Sequence, residues 1–101
     1  MALTITKILD GGTLTVALRE RLDTITSPEL DEELSESIEG VKHLVFDMAE
    51  LTYISSAGLR LLLLYQNKMK AQGKFTIRNV RKEVMSVLKL TGFDKFLKIE
   101  Q

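Results

Sequence analysis

Apolar and polar positions alternate at the start of this chain, and this pattern predicts strands. The alternation covers residues 3–5 and returns over residues 14–18. Between the two runs, Asp10-Gly11-Gly12 supplies residues that favour a tight turn. Two alternating runs on either side of a short glycine turn predict a β-hairpin.

The next segment changes to helical spacing. Leu30, Leu34 and Ile38 recur every four residues, and a Ser27-Pro28 pair precedes them. We predict an amphipathic helix with its N-cap at Ser27, proline at the first helical position, and an end at Gly40. Its outer face is acidic, which is typical of a solvated surface.

A continuous apolar run, Leu44-Val45-Phe46, predicts an interior strand over residues 43–47. From Leu59 to Met69 the apolar positions again follow helical spacing, so a long helix is expected with Gly73 as its C′ residue. If Ser55 is the N-cap of this helix, Ile54 and Leu59 occupy the two positions of a hydrophobic staple.

Two adjacent serines join this strand to this helix. In the predicted register the Ser55 hydroxyl caps the first turn, whereas the hydroxyl of Ser56 points outward beside unpaired amides. A phosphate on Ser56 would meet the positive end of the helix dipole, and Ala57 and Gly58 are expected to let a partner approach the backbone closely. Serine pairs also begin many helices for structural reasons alone, and the local pattern by itself favours that interpretation.

The remaining segments complete the alternation of strands and helices. Phe75-Thr76-Ile77-Arg78 predicts a second interior strand, Asn79 the cap of a third helix, and Thr91-Gly92 the end of that helix. Residues 96–99 are expected to form a short strand or a tail packed on the sheet. The order predicts a single α/β domain over residues 1–101, with a mostly parallel sheet, an antiparallel N-terminal hairpin at its edge, and helices packed against it.

Composition narrows the possible functions. The 101 residues are 45% apolar and include no cysteine, so a core can form without disulfides, and thiolate chemistry is excluded. The net charge is zero, which argues against direct nucleic-acid binding. Residues 1–50 carry 11 acidic and 4 basic residues, and the second half reverses this balance, which fits either internal compensation or a charged docking face.

No apolar run approaches the roughly 20 residues of a membrane span, and the N-terminus lacks the pattern of a signal peptide. We therefore expect a cytoplasmic domain with no membrane contact. One histidine and scattered carboxylates predict no metal site, and no cofactor motif is present.

Whether Leu51 and Tyr53 lie in the core or contact a partner stays open at this point.

An enzyme is not expected. Ser56-Ala57-Gly58 supplies half of a nucleophile elbow, but Ile54 stands where the leading glycine is required. His43, the only histidine, lies at the start of the buried strand and is a poor candidate for a general base.

The order of elements, Leu22-Asp23 at the end of the second strand, and the junction Tyr53-Ile54-Ser55-Ser56-Ala57-Gly58-Leu59 together resemble the STAS domain of bacterial anti-sigma factor antagonists. The similarity extends to Leu90-Thr91-Gly92-Phe93. It implies that Ser56 is phosphorylated by an anti-sigma factor kinase of the histidine-kinase-like ATPase fold and dephosphorylated by a serine phosphatase. It also implies that the unphosphorylated form binds the kinase and frees a sigma factor, which regulates transcription.

The junction departs from the family pattern at two positions, because Ser55 replaces an aspartate and Ala57 a hydroxyl residue. Ser55 is therefore a rival phosphate acceptor. Glu20 and Arg21 stand where the family often has Gly-Glu, and Asp23 matches an acidic residue that either supports partner contact or caps the strand end. The partner-binding residues implied by the resemblance are Asp23, Thr26, Ser55, Ser56, Ala57, Gly58 and Arg60.

A second interpretation keeps the fold and changes the partner. Similar domains occur as tails of anion transporters and as small subunits of transport ATPases or other signalling complexes, where the serine need not be phosphorylated. We expect this chain to be a free domain, which makes the transporter tail less expected and leaves the subunit open.

Overall fold

Strands and helices alternate along the chain in the computed structural model, which describes residues 3–101. The strands are β1 (Leu3–Asp10), β2 (Thr13–Leu22), β3 (His43–Ile54), β4 (Lys74–Arg78) and β5 (Lys98–Glu100). The helices are α1 (Ser27–Ser37), α2 (Ser56–Lys70) and α3 (Lys82–Thr91), and a single 3-10 turn (Phe93–Lys95) precedes β5.

The five strands form one sheet in the order in which they occur along the chain. β1 and β2 are antiparallel, whereas each later strand runs parallel to the one before it. This confirms the predicted α/β architecture with a hairpin at its edge. The C-terminal segment, predicted as a strand or a tail, is a strand that pairs with β4.

The core lies between one face of the sheet and the helices. The strand register places Val16, Phe46 and Ile77 side by side, all fully buried. Phe46 also meets Phe75 edge to face, with ring centroids 5.0 Å apart. Leu30 of α1, Leu62 of α2 and Leu88 of α3 belong to the same buried cluster. Burial of this apolar surface is the main favourable term in folding.

A charged residue on the edge strand β1, Lys7, contacts α1. Lys7 of β1 pairs with buried Val16 in the register of the hairpin. Its ammonium reaches Glu33 Oε1 of α1 at 2.7 Å and Ser37 Oγ at 2.7 Å. The lysine therefore ties the edge strand to α1.

α1 begins one residue earlier than predicted. Thr26, not Ser27, holds the N-cap position, and Ser27 is the first helical residue. The reason is a turn that the spacing of leucines does not show, because the hydroxyl of Thr26 accepts a hydrogen bond from Asp23 N at 2.8 Å. The helix also ends at Ser37, ahead of Gly40, whose positive φ of 80° belongs to the following turn.

β3 extends seven residues beyond the predicted end at Asp47. Glu50, Leu51, Tyr53 and Ile54 pair with β2 in this extension. Met48, Leu51 and Ile54 are buried there. Irregular register between Ala17 and Arg19 and between Glu20 and Arg21 spaces the buried residues by three. Alternation of period two was therefore hidden in the sequence of this part of the strand.

Gly73 is not the C′ residue of the central helix, because α2 ends at Lys70 and Ala71 is its C-cap. The glycine is required by packing instead. A Cβ atom at position 73 would lie 1.9 Å from the carbonyl oxygen of Lys42.

Asn79 does not cap α3. Arg81 is the N-cap, and Asn79 adopts a left-handed conformation, with φ of 60°. Its side-chain amide donates to Asp47 Oδ1 at 3.2 Å. Gly92 ends α3 with φ of 80°, as predicted from the Thr91-Gly92 pair.

Candidate functional site

β3 passes directly into α2 through the predicted serine pair. Ile54 ends the strand, Ser55 is an extended N-cap with φ −102° and ψ 178°, and Ser56 is the first helical residue. The amide of Ser55 donates to Leu22 O at 3.0 Å, and the amide of Leu59 donates to Ser55 O at 2.9 Å. The predicted register is confirmed, and α2 is anchored to the end of β2.

The two serine side chains have different surroundings. Ser55 Oγ is buried and has no hydrogen-bond partner among residues 3–101, so the predicted side-chain cap on the first turn is wrong. The hydroxyl turns inward instead of toward the amides of the turn. The Ser56 side chain is exposed. A reagent in solvent therefore has access to Ser56 but not to the Ser55 oxygen.

The first turn of α2 is an electropositive surface. Its first intrahelical hydrogen bond is the one from Leu59 to Ser55, so the amides of residues 56–58 have no intrahelical acceptor. These amides and the helix dipole favour negative charge at this point. Chemically, the arrangement can hold an anionic group on the exposed hydroxyl of Ser56.

Gly58 faces the protein interior and is buried. A Cβ atom there would lie 2.7 Å from Ile54 Cγ1 and 2.9 Å from Leu22 O. The expectation that Gly58 opens the backbone to a partner is therefore wrong, since the close approach is to the ends of β2 and β3. Ala57, the neighbouring residue, is partly exposed.

Asp23 closes the turn between β2 and α1. Its Oδ1 accepts hydrogen bonds from the amides of Ile25 and Thr26, each at 3.0 Å, and Arg21 Nε lies 3.3 Å from Oδ2. The bond from the Thr26 amide, followed by the Arg21 contact, lowers the pKa of Asp23. Of the two predicted roles, capping the strand end is the one visible in this geometry.

Thr26 is buried, with 2% of its surface exposed. Its hydroxyl lies 2.9 Å from Arg21 O, to which it can donate, while it accepts from Asp23 N. The residue therefore shapes the turn and offers a partner no accessible side chain, contrary to the implied contact role.

Leu51 and Tyr53, two residues near the junction, differ in exposure. Leu51 is fully buried, whereas Tyr53 is 42% exposed. The guanidinium of Arg21 stacks over the Tyr53 ring at 4.1 Å from its centroid. This pair could not be predicted from the sequence, because Arg21 and Tyr53 meet only through the parallel register of β2 and β3.

Arg60 lies on the exposed side of α2 and borders a groove of about 290 Å3 between α1 and α2. The groove is also lined by Thr24, Ser27, Asp31, Ala57 and Leu64. Asp31 Oδ1 accepts a hydrogen bond from the buried Tyr65 hydroxyl at 2.6 Å. The sequence could not reveal the groove, because it forms only where the two helices pack.

His43 lies at the opposite end of twelve-residue β3 from Ser56 and cannot act as its base. Its Nε2 contacts Thr76 Oγ1 at 2.9 Å, and burial lowers its pKa. Within residues 3–101, histidine and carboxylate side chains form no cluster suited to a metal ion. No helix in that same range is both long and apolar enough to cross a bilayer.

Comparison with known proteins places this chain among related sequences. The family model described as the STAS domain matches residues 4–101. BtrV of Bordetella bronchiseptica, provisionally named an anti-sigma factor antagonist, is 33% identical over 95 residues, which cover 92% of this chain and 80% of BtrV.

Solved structures show the same fold. A crystal structure of an anti-sigma factor antagonist from Mycobacterium paratuberculosis has a TM-score of 0.87 at 21% identity, covering 97% of this chain and 85% of that chain. The anti-sigma factor antagonist SpoIIAA in its unphosphorylated form has a TM-score of 0.83 at 18% identity, covering 97% and 89%. The phosphorylated form of the Bacillus protein SpoIIAA has a TM-score of 0.74 at 17% identity, covering 97% and 92%.

Proposed function

Because this chain belongs to the STAS domain family, and because it is 33% identical to BtrV over 95 residues, we propose that it is an anti-sigma factor antagonist. In its unphosphorylated form it binds an anti-sigma factor that is also a kinase of the histidine-kinase-like ATPase fold, and a sigma factor is released. Phosphorylation of Ser56 ends this binding, and a serine phosphatase restores it.

One observation carries the proposal, namely the contrast between Ser56 and Ser55. Ser56 is exposed at the start of α2, whereas the Ser55 oxygen is buried. In the reaction a bond forms between Ser56 Oγ and the terminal phosphorus of ATP, the bond from that phosphorus to the ADP oxygen breaks, and the hydroxyl proton passes to solvent. The product places its charge at the positive end of the helix dipole.

The switch needs no change of fold. A phosphoserine adds about −1.5 to −2 charges, which a docked partner must desolvate or neutralise. A penalty on the order of 3 to 4 kcal/mol weakens a complex several-hundred-fold, since each 1.4 kcal/mol is a factor of ten.

The docking surface we propose surrounds Ser56. Ile25 and Tyr53 are 75% and 42% exposed, and apolar and aromatic anchors of this kind carry much of the energy of protein interfaces. Ala57 and Arg60 supply the adjoining surface on α2. The other residues of the implied contact set, Asp23, Thr26, Ser55 and Gly58, hold the backbone that presents this surface.

The test combines site-resolved mass spectrometry of the protein from its own cells with capture of its partners. We expect phosphate on Ser56 and an anti-sigma factor kinase in the captured complex. Ser56→Asp should lose this partner several-hundred-fold in affinity. Ser86→Asp, at an exposed position of α3, is the matched control and should retain it. A transport ATPase as partner, with neither serine modified, would replace this proposal with the subunit function.

A further inference from the structure

Arg60 lies one helical turn after Ser56 on α2. Side chains at positions i and i+4 of a helix are neighbours, with Cβ atoms about 5 to 6 Å apart. Each Cα–Cβ bond also tilts toward the N-terminus of its helix. The guanidinium of Arg60 can therefore reach back over the first turn, where the Ser56 side chain and the amides without intrahelical acceptors lie.

Arg60 is not engaged by a carboxylate in the part of the chain that the structure describes. The ion pairs there use Lys7, Arg19, Arg21, Arg78 and Arg81 as their cations. Asp31, the carboxylate that lines the same groove as Arg60, receives the Tyr65 hydroxyl. A new anion on Ser56 would compete with few existing contacts for this guanidinium.

We propose that Arg60 is the internal receptor for the phosphoryl group of phosphorylated Ser56. The guanidinium turns toward the first turn of α2 and pairs with the phosphate oxygens, while the amides of that turn bind them from the other side. Arginine suits this task because its planar group can donate two parallel hydrogen bonds to phosphate.

This ion pair gives the phosphate two effects on a partner. It adds negative charge at Ser56, and it withdraws the Arg60 cation from the surface that the unphosphorylated protein presents. The cellular role of the pair rests on the proposed function, but its formation depends only on the geometry of α2.

The experiment places phosphoserine at position 56 of the full chain during translation, so that no kinase is needed. Phosphorus NMR then follows the second ionisation of the phosphate, whose ordinary pKa is about 6. In the wild-type background we expect a pKa lower by about 0.5 units or more than in Arg60→Gln, because a nearby cation favours the doubly charged form.

Lys70→Gln is the matched control. It removes one positive charge from an exposed site on the same helix, about 21 Å from Ser56 at 1.5 Å per residue. Its phosphoserine pKa should equal that of the wild type. Arg60→Lys should give a value between wild type and Arg60→Gln, since an ammonium keeps the charge without the paired hydrogen bonds.

Equal pKa values in the wild type and in Arg60→Gln would overturn the ion pair, whatever the cell does to Ser56. The failure of the proposed function is a separate result. A protein that is never phosphorylated in its own cells, yet shows the pKa difference when phosphoserine is installed, would support the ion pair and reject the switch.

Discussion

Both α1 and α2 begin with two adjacent hydroxyl residues, Thr26-Ser27 and Ser55-Ser56, and the two pairs have opposite exposure at the first helical position. Ser27 is 7% exposed, whereas Ser56 is exposed. Both pairs are hydrogen-bonded to the end of β2 or the residue after it. The amide of Ser27 donates to Asp23 O, and the amide of Ser55 donates to Leu22 O. A hydroxyl at a helix start is therefore available to a modifying enzyme only where the tertiary structure exposes it.

The two helix starts also differ in how many free amides they present. At α1 the amide of Ser27 donates to Asp23 O at 2.9 Å, and Pro28 has no N–H to offer. At α2 the amides of residues 56–58 have neither an intrahelical acceptor nor a side-chain cap. The first arrangement stabilises a turn, and the second leaves a place for an anion.

The largest expected effect comes from placing a carboxylate at each of the two first helical positions. Ser27→Asp should lower the free energy of unfolding by about 2 to 4 kcal/mol, because its charge would be buried. Ser56→Asp should stay within about 0.5 kcal/mol of the wild type, with the helix dipole in its favour. Urea unfolding measures the free energy of unfolding of both variants. A Ser27→Asp protein as stable as Ser56→Asp would contradict the difference in exposure between the two positions.

A smaller loss is expected from Gly58→Ala, which tests the packing that presents Ser56. The added methyl group meets Ile54 and Leu22 O, so the free energy of unfolding should fall by about 1 to 3 kcal/mol. Ala57→Gly is the control at the next position, with an expected loss of about 1 kcal/mol from helix propensity alone. A fully stable Gly58→Ala protein would contradict the close contact of α2 with the strand ends.

The Asp23 turn should respond to pH. Because the pKa of Asp23 in the folded protein is below its ordinary value of 3.8, its carboxylate stabilises the fold above that value. This contribution is lost as the pH falls through the lowered pKa. Asp23→Asn should be less stable than the wild type at neutral pH, and in urea unfolding the difference should shrink as the pH falls below 3.8 and through the lowered pKa. A constant difference across this range would assign the effect to packing.

The smallest effect, a gain, is expected at Glu20, just ahead of this turn. Its φ of 83° is strained for a glutamate and unstrained for a glycine, so Glu20→Gly should raise the free energy of unfolding by about 0.5 to 1 kcal/mol. Asn79→Gly is the matched control, since asparagine tolerates its φ of 60° and no comparable gain is expected. Thermal unfolding of the wild type, Glu20→Gly and Asn79→Gly would measure this gain. A Glu20→Gly protein less stable than the wild type would refute the strain.

The parts of the fold predicted correctly were those governed by local pattern. The staple of Ile54 and Leu59 placed the start of α2, and Gly92 placed the end of α3. The errors arose where distant segments meet. Irregular pairing with β2 hid the second half of β3, and the contact with Lys42 explains Gly73 better than a helix end does.

The same division holds at the site. Ser56 was identifiable as the outward hydroxyl because that follows from the helix register. The inward turn of Ser55, the buried hydroxyl of Thr26 and the interior position of Gly58 depend on how α1 and α2 lie against the ends of the strands. No spacing along the chain encodes those contacts.

Lys7 on β1 bears on how this protein behaves in concentrated solution. An edge strand offers unpaired backbone groups to a strand of a second molecule, and such pairing starts aggregation. Because Lys7 points to the helix-covered side and is held there by Glu33 and Ser37, a strand added alongside β1 would have to accommodate a charge beside its own inward-facing residues. The lysine thus disfavours pairing of β1 with a strand from a second copy of this protein, while the rest of the surface remains available to partners.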